Sequence, residues 1–392
     1  MSRDAVIVAA KRTAIGRFSG SFSTTPATEL GARAIAAVLS QTDIDPTMID
    51  DVLIGQVLQA GAGQNPARQA AIGGGVPISV PAATINQVCG GGQRTLHMAA
   101  QAIRASDADV VLVGGQDNMT LAPHVLQRSR AGFKTGNVEM QDSMMVDGLV
   151  DAFHGVHMGV TAEILARRYQ VTREAQDAFA LDSQRKAAAA IAAGLFAEEI
   201  VPVDVQVKGG TVRIDADEHP RPQTTAADLA GLKPIFEESG TVTAGNASGL
   251  NDGAAALLVM SDERARDLGL EPLVRIAAYA SAGVEPMEMG LGPVPASRRA
   301  LARAGWTTDD LDLIEVNEAF AAQSIAVHLE MGWDVAKANV NGGAIALGHP
   351  LAGSGARMVV TLILEMQRRN VRKGLATMCI GGGQGVAICL ER

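Results

Sequence analysis

The sequence predicts an α/β fold of layered strands and helices, built as two similar halves with an inserted region between them. Short apolar runs alternate with longer amphipathic segments in the first and last thirds of the chain, which is the pattern of strands covered by helices. The chain has 392 residues, more than one ordinary domain, so two cores or one duplicated architecture is expected.

In the first third, most apolar runs of strand length are followed by a segment with helical periodicity. The predicted strands are Ala5–Ala9, Asp51–Gly55, Ala83–Gln87 and Val110–Val113. The predicted helices are Glu29–Gln41, Asn65–Gly73 and Gly91–Ala105. These elements make up the first half of the predicted architecture.

The last third repeats this order of elements. Its predicted strands are Leu313–Val316, Ala338–Asn341, Gly374–Ile380 and Gly385–Leu390, and its predicted helices are Glu318–Glu330 and Ser354–Arg369. The segment VLVGGQ at 111–116 also resembles MCIGGGQ at 378–384. This parallel predicts two related halves, although ordinary α/β regularity would produce a similar alternation.

The middle of the chain interrupts the alternation. It contains a long helical segment at Thr172–Ala193 and a polar stretch with hairpin character at Lys208–Arg213. Long insertions between regular elements often carry binding residues. We therefore divide the chain into an N-terminal half at 1–118, completed by about 250–270, a loop and substrate-binding insertion at 119–249, and a C-terminal half at 271–392.

Composition excludes several classes of function. The formal charge of −9 argues against binding of nucleic acid, which needs a basic surface, although a few local Arg and Lys residues can hold an anionic substrate. Three cysteines without disulfide or zinc spacing indicate a reducing compartment. The first apolar run is too short for a signal peptide, and no run of about 18 uncharged apolar residues occurs. We expect a soluble, cytoplasmic protein without a membrane partner.

Cys89 is the first candidate catalytic residue. It follows an apolar run and precedes Gly90, Gly91 and Gly92, so it lies just before a predicted helix start. The unpaired N–H groups of a helix start favour a thiolate and can face the oxyanion of a tetrahedral intermediate. The alternative is a buried core cysteine, and the local sequence does not decide between the two.

His349 and Cys379 are the other two candidates. His349 lies in a turn between Gly348 and Pro350, where an imidazole can accept a thiol proton and later donate to an oxyanion. Cys379 ends an apolar strand at a glycine run, at the edge where open α/β sheets meet ligands. A second thiol there can act as a base toward an acidic C–H. The alternatives are a turn histidine bonded to the backbone and a buried strand cysteine.

Other motifs carry less information. Asn317 opens a predicted helix and is either its N-cap or a holder of a water or carbonyl oxygen. Cys389 is predicted to pack in the core, and His97 is a bystander in a helix. The glycine run at 381–385 has no downstream helix and acidic partner, so it is a poor dinucleotide fingerprint. No His, Cys or Asp cluster has metal-ligand spacing, so no metal site is predicted.

Four segments together resemble the thiolase family, in the family's order and separations. They are VCG at 88–90, NEAFA at 317–321, NGGAIALGHP at 341–350 and CIGGGQG at 379–385, supported by QNPARQA at 64–70 and GNASGLNDG at 245–253. The resemblance covers essentially the whole chain. It is closest to the biosynthetic branch, the acetyl-CoA acetyltransferases, because VHMG at 156–159 looks like the acyl-pocket segment of that branch.

The resemblance implies a thiolase-like α-β-α-β-α fold, usually a homotetramer, and a role for each candidate residue. Cys89 would attack an acyl-CoA thioester while His349 takes its proton. Cys379 would then take a proton from the α-carbon of a second acetyl-CoA, giving acetoacetyl-CoA and CoA. Asn317, through a water, and His349 would stabilise the enolate oxygen. The backbone N–H groups of Cys89 and Gly381 would hold the tetrahedral oxyanion.

The resemblance also implies how coenzyme A thioesters bind, as substrates and without a further cofactor. Arg221 would lie near the nucleotide end and Ser248 at the pantetheine amide. The tunnel would be lined by Leu149, His157, Met158, Phe236, Ala244, Met289, Ala319 and Phe320. Two positions depart from the family: Gly91 stands where relatives commonly carry Ser or Ala, and Asp228 where they often carry a short hydroxyl residue.

Three alternatives stay open at this point. A degradative 3-ketoacyl-CoA thiolase would run the same chemistry on longer acyl chains. A decarboxylating ketosynthase would accept malonyl groups, and the second cysteine argues against it. A non-catalytic acyl-CoA or lipid carrier of the same fold is disfavoured because Cys89, His349 and Cys379 are all present.

Overall fold

The computed structural model describes residues 3–392. Its strands are β1 (Ala5–Thr13), β2 (Gly16–Arg17), β3 (Asp51–Gly55), β4 (Ala82–Ile85), β5 (Val110–Asn118), β6 (His124–Val125), β7 (Gln141–Asp142), β8 (Ile200–Val201), β9 (Val203–Val207), β10 (Gly210–Ile214), β11 (Asn251–Ser261), β12 (Val274–Gly283), β13 (Leu313–Val316), β14 (Lys373–Ile380) and β15 (Gln384–Glu391). Its helices are α1 (Ala27–Thr42), α2 (Pro66–Gly73), α3 (Gly91–Ala105), α4 (Met158–Arg168), α5 (Arg173–Ala192), α6 (Ala226–Ala230), α7 (Asp262–Asp267), α8 (Pro293–Ala304), α9 (Ala321–Met331), α10 (Ala344–Leu347) and α11 (Leu351–Arg369).

The four strands of the C-terminal half repeat the order and directions of four strands of the N-terminal half, β3-β5-β11-β1, and β4 has no counterpart. In the N-terminal half the order is β4-β3-β5-β11-β1, with β3 parallel to β4 and β5, and β11 antiparallel to β5 and β1. In the C-terminal half the order is β13-β14-β15-β12, with β13 parallel to β14, and β15 antiparallel to β14 and β12. The duplicated architecture is therefore present in the topology.

The sheets of the two halves are joined where β1 pairs antiparallel with β12 at Val6 and Ile7, and both pack against a central layer of helices. The largest core cluster joins α3 and α11 to inward-facing residues of both sheets, such as Val111 of β5 and Ile388 of β15. The next residue along each of these strands points outward, so that Leu112 packs near α1 and Cys389 packs near α8. This period-two alternation places each sheet between two helical layers, which gives the α-β-α-β-α order.

The predicted strand at Ala338–Asn341 is wrong. Only one parallel bridge forms there, between Ala338 and Ile314. Asn339 has a left-handed φ of 44°, and its side-chain amide makes both bonds that a neighbouring strand would make to Val316, donating to its carbonyl at 2.8 Å and accepting from its N–H at 2.8 Å. The side chain thus replaces the backbone of the missing strand.

The other predicted elements occur, most with small shifts at their ends, but β1 extends to Thr13 instead of Ala9 and β5 to Asn118 instead of Val113. The bounds of β3, α3 and β13 are those predicted, and α5 begins after its N-cap Thr172, whose hydroxyl accepts from Ala175 N. The predicted helix at 318–330 begins later, at Ala321, because Phe320 is extended and bridges Ala247. Within residues 3–392, no helix combines the length and apolar character needed to cross a membrane.

Between β5 and β11 the chain leaves the central sheets except at β8, which pairs with β1. This segment forms the hairpin of β9 and β10 and the helices α4, α5 and α6. Helix α5 packs against α9 and α10, next to the turn that leads to His349. The middle segment therefore covers the ends of elements that carry the candidate site.

Helices α3 and α11 meet at their N-termini with almost no side chain between them. A Cβ on Gly92 of α3, or on Gly115 of β5, would overlap the carbonyl oxygen of Ala352 in α11, and a Cβ on Gly355 would lie 2.7 Å from Gln93 N. Glycine at these positions lets backbone pack on backbone. The approach brings together the turns that precede both helices.

We expect Gly92→Ala to lower the free energy of unfolding by about 1–3 kcal/mol, because the added methyl group overlaps the Ala352 carbonyl and forces the helices apart. Urea unfolding followed by circular dichroism measures the change. Gly231→Ala is the control, since Gly231 has an ordinary φ of −74° and its Cβ would make only ordinary contacts; it should stay within about 0.5 kcal/mol of the parent. Equal effects of the two substitutions would contradict the role of this contact.

Candidate functional site

Cys89 lies in a tight turn between β4 and α3. The residue before it, Val88, has a left-handed φ of 44°, a conformation that costs of order 1–3 kcal/mol for a β-branched residue. The turn is held by Val88 N, which donates to Asn86 Oδ1 at 2.9 Å, and by Gly91 N, which donates to Val88 O at 3.0 Å. The strained backbone presents the Cys89 sulfur to the cavity described below.

Cys379 and Gly381 come from the other half and reach the same place. Cys379 is near the end of β14 and is 2 % exposed, and the glycine turn that follows reverses the chain into β15. Gly381 lines the same cavity as Cys89, and its backbone N–H acts to lower the pKa of the Cys89 thiol. Gln87 Nε2 also donates to Gln384 Oε1 at 2.9 Å. This bond links the turn that contains Cys89 to the turn that follows Cys379.

His349 is buried and held on three sides. Its backbone N–H donates to Asn251 Oδ1 at 2.9 Å, its Nδ1 lies 2.6 Å from Ser354 Oγ, and its Nε2 lies 3.5 Å from Asn317 Nδ2. With the Asn317 amide oriented so that Nδ2 faces the ring, Nε2 is the acceptor and Nδ1 carries the proton toward Ser354. The imidazole lone pair therefore points toward Asn317.

Two buried carboxyl groups accept hydrogen bonds from the segments around the candidate residues. Asp117, at the end of β5, accepts from Leu58 N at 2.9 Å, Val57 N at 3.1 Å and Ala352 N at 2.9 Å. The last of these bonds anchors the first turn of α11, three residues after His349. Burial raises the pKa of Asp117 to about 7, against the lowering effect of the N–H donors.

Glu318 is the second carboxylate, next to Asn317 in the chain. It accepts from Ser183 Oγ at 2.7 Å, Asn339 Nδ2 at 2.9 Å and Ile345 N at 3.2 Å. A Cβ at Gly343 would overlap the Glu318 carboxyl group, so glycine allows this approach. The network fixes the segment of Asn317 relative to the turn that leads to His349.

The side chains of the site are uncharged at neutral pH. Burial raises the pKa of Cys89 to about 11, although the Gly381 N–H opposes it, and burial followed by the neighbouring Cys89 raises the pKa of Cys379 further above its ordinary value. Burial, and then the charge of Arg357, lower the pKa of His349 to about 4. The expectation that the helix start favours a Cys89 thiolate is therefore wrong for the unliganded protein, because desolvation outweighs the helix N–H groups. The site pairs two thiols with a neutral imidazole.

One cavity of about 600 Å³ contains the candidate side chains. Every predicted site residue except Asn317 lines it: Cys89, His349, Cys379, Gly381, Leu149, His157, Met158, Arg221, Phe236, Ala244, Ser248, Met289, Ala319 and Phe320. Asn317 lies behind this wall, against His349. Sulfurs from opposite ends of the chain thus share a cavity with the imidazole.

Sequence reasoning missed several lining residues. They are Arg17, Phe18, Met119, Met145, Gly148, His219, Ile235, Ala247, Gly249, Leu250 and Leu351. Three of them, Ala247, Gly249 and Leu250, belong to the GNASGLNDG segment that carried part of the resemblance. Arg17 and Phe18 follow the first strand and carry no motif, so only the fold brings them here.

Aromatic and apolar side chains shape the wall of the cavity. His157 stacks on Phe236 with ring centroids 4.5 Å apart, and Phe236 meets Phe320 edge to face at 6.0 Å. His157 is also the N-cap of α4, because its Nδ1 accepts from Gly159 N at 3.0 Å. Two other sequence observations concern residues outside this wall. Asp228, the position that departs from the family, forms a capping box with Thr225 at the start of α6, in which each side chain accepts from the backbone N–H of the other.

In the part of the chain that the structure describes, no group of three or more His, Cys, Asp or Glu residues is placed to hold a metal ion.

Comparison with known proteins places the whole chain in one family. Residues 5–263 match the family model for the N-terminal domain of thiolase, and residues 270–392 match the model for the C-terminal domain. The acetyl-CoA acetyltransferase of Pseudomonas aeruginosa is 60 % identical over 391 residues, which cover 100 % of both chains. That of Cupriavidus necator is 58 % identical over 390 residues, covering 99 % of both chains. The crystal structure of the Bacillus anthracis acetyl-CoA acetyltransferase is 42 % identical, with a TM-score of 0.97 over 100 % of this chain and 99 % of that one.

We expect iodoacetamide to alkylate Cys89 before the other cysteines, because Cys89 is half-buried and faces the cavity while Cys379 and Cys389 are fully buried. The rate should rise with pH through the range from about 7 to about 9, since a thiol with a pKa of about 11 gains thiolate throughout that range. Mass spectrometry of the digested protein after short exposure measures the label on each cysteine.

Cys89→Ser is the control for this labelling, and it should remove the fast label and leave Cys379 and Cys389 unmodified. Faster labelling of Cys379 than of Cys89, or a rate that is already independent of pH near neutrality, would contradict the described burial.

Proposed function

The chain belongs to the thiolase family, and we propose that it is an acetyl-CoA C-acetyltransferase. It condenses two acetyl-CoA molecules into acetoacetyl-CoA and CoA, and it catalyses the reverse thiolysis. The observation that carries the proposal is the shared cavity of Cys89, Cys379 and the neutral His349, which Gly381 also lines. Relatives that are 60 % and 58 % identical over essentially the full chain bear the name of this activity.

In the first step Cys89 becomes acylated. His349 takes the thiol proton on Nε2, giving up its long 3.5 Å contact with Asn317 Nδ2 while Nδ1–H stays directed at Ser354, and the sulfur attacks the thioester carbonyl. The N–H of Gly381, which lines the cavity with Cys89, and the N–H of Cys89 stabilise the tetrahedral oxyanion. The leaving CoA thiolate takes the proton of Cys379, which leaves Cys379 as the base for the next step.

In the second step the carbon–carbon bond forms. The Cys379 thiolate removes a proton from the α-carbon of the second acetyl-CoA, and its raised pKa makes it a strong base for this weak acid. The protonated His349 and Asn317, through a water, stabilise the enolate oxygen. The enolate carbon attacks the acyl group, and Cys89 departs as a thiolate that regains the proton held by His349. Protons and charges then match those of the starting enzyme.

The acyl end of the cavity favours a short chain. Met158 and Met289 pack with Cys379, Ala319 and Phe320 in one buried apolar cluster that lines the cavity around the Cys379 sulfur. Coenzyme A thioesters are the substrates, and the chemistry requires no further cofactor. A longer-chain degradative thiolase is the second candidate because it uses the same three side chains.

The proposal extends to a cytoplasmic homotetramer. The segment from Leu121 to Met140 extends from the core and exposes Leu126, Phe133 and Val138. Exposed apolar side chains grouped on one segment favour contact with another chain. A further copy of this protein is the partner that the family resemblance supports.

Substitution of the two cysteines should separate the two steps. Cys89→Ala should show no acyl-enzyme and lose about 10³-fold or more in thiolysis rate, because the nucleophile is gone. Cys379→Ala should still acquire acyl label from acetyl-CoA but lose about 10²–10⁴-fold in condensation rate, because the base is gone. Mass spectrometry of the trapped protein and release of CoA measure the two steps.

Cys389→Ala is the control, because Cys389 is buried in the core away from the cavity and should label and turn over normally. If Cys379→Ala cannot be labelled at all, the division of roles between the sulfurs is wrong. If the parent protein neither takes label nor releases CoA, the carrier alternative gains support.

We expect kcat/KM for thiolysis of acetoacetyl-CoA to exceed that of 3-ketohexadecanoyl-CoA by about tenfold or more, because a long acyl chain would have to displace the buried side chains of Met158, Met289 and Phe320. Initial rates at matched CoA concentration measure the preference. A preference for the long-chain substrate would favour the degradative alternative.

A further inference from the structure

The cavity has a buried inner end and a solvent-exposed outer end, as the exposure of the residues that line it shows. At the inner end Cys379 and His349 are buried, with exposures of 2 % and 7 %. At the outer end Arg17, Phe18, Arg221 and Ile235 line the same cavity and are exposed to solvent. A long substrate with its reacting carbonyl at the sulfurs therefore passes these outer residues, which we call the mouth.

The mouth is the positively charged part of the cavity. Among the described residues that line the cavity, the charged side chains are those of Arg17 and Arg221. None of these lining residues is Lys, Asp or Glu. The whole chain carries a formal charge of −9, so an anionic substrate needs local cations to offset the global field. The two arginines come from segments about 200 residues apart in sequence.

Glu218 holds Arg17 in a position that leaves its terminal nitrogens free. Glu218 Oε1 accepts from Arg17 Nε at 3.1 Å, and Glu218 Oε2 accepts from the backbone N–H groups of Arg17 at 3.1 Å and Ser21 at 3.0 Å. Partial burial raises the pKa of Glu218, but the N–H bonds of Ser21 and Arg17 outweigh it and keep the pKa below its usual value. The carboxylate is thus ionised and engages Nε, while Nη1 and Nη2 remain available to a second anion.

The same contact fastens Arg17 to the segment that carries Arg221, and both arginines line the cavity. Glu218 and Arg221 lie in one short segment, in which His219 also lines the cavity. Strand β2 places Arg17 opposite Asn251 of β11, directly after the segment that contains Ser248. Among the described residues, 3–392, the guanidinium of Arg221 has no ion-pair partner, and its backbone N–H donates to Gln184 Oε1 at 2.9 Å. Both arginines can therefore bind anionic oxygens at the mouth.

We propose that Arg17 is a second anion-binding residue of this cavity and binds a phosphate group of the coenzyme A substrate together with Arg221. The proposal rests on the proposed function and deepens it. A guanidinium with two free terminal nitrogens suits the bidentate geometry of a phosphate. Because the phosphates are remote from the reacting carbonyl, Arg17 contributes to substrate binding and not to the chemical step.

The test compares substrates with and without the nucleotide. Arg17→Gln should raise KM for acetoacetyl-CoA about threefold to tenfold at low ionic strength, with kcat changed by less than about twofold. KM for acetoacetyl-pantetheine, which lacks every phosphate of the nucleotide, should be the same for Arg17→Gln and the parent. The difference with acetoacetyl-CoA should shrink as salt is added, because the contact is at the surface.

Arg213→Gln is the matched control. It removes the same charge from an exposed strand, β10, that does not line the cavity, and it should leave KM for both substrates unchanged. An unchanged KM of Arg17→Gln for acetoacetyl-CoA overturns the proposal, and so does an equal rise for the pantetheine thioester or for Arg213→Gln. If the parent protein cleaves neither thioester, the proposed function fails instead, so the two failures are distinguishable.

Discussion

The site depends on the bare backbone contact between the two halves at Ala352. Gly92 and Gly115 of the N-terminal half pack on the Ala352 carbonyl, and Asp117 accepts the Ala352 N–H at 2.9 Å. Cys89 precedes Gly92 by three residues, and His349 precedes Ala352 by three residues. The crossing of α3 and α11 therefore sets where the nucleophilic sulfur and the imidazole lie relative to each other. A side chain larger than hydrogen at the glycines would move both turns.

Burial determines the protonation state of the resting site. Cys89 stands at a helix start and the backbone N–H of Gly381 acts to lower its pKa, two influences that favour a thiolate, yet desolvation raises its pKa to about 11. The same desolvation lowers the pKa of His349 to about 4, so the imidazole is neutral and able to accept a proton. A site with two thiols and a free base avoids a buried charge until substrate arrives. The charge then appears during the reaction, where preorganised N–H donors stabilise it.

Two buried carboxyl groups hold the segments that carry the catalytic side chains in place through hydrogen bonds. Asp117 ties the end of β5 to α11, and Glu318 ties the Asn317 segment to the turn before His349. Each accepts several N–H or hydroxyl donors, so the cost of its burial is offset by hydrogen bonds. At the surface, Glu218 has a comparable role for Arg17. Loops that carry function are thus held by acceptors from neighbouring segments.

The sequence by itself determined the local elements and the chemistry of the candidate residues. Glycine runs and helical periodicity predicted α3 with its observed bounds, and the order of motifs carried the family, because both signals lie within short stretches of chain. The tertiary structure alone decided features that depend on partners distant in sequence. Asn339 replaces a strand through its contact with Val316, Arg17 joins the cavity through Glu218, and desolvation suppresses the Cys89 thiolate. Propensity and spacing describe neighbours along the chain, whereas burial and hydrogen-bond partners exist only once the halves have packed.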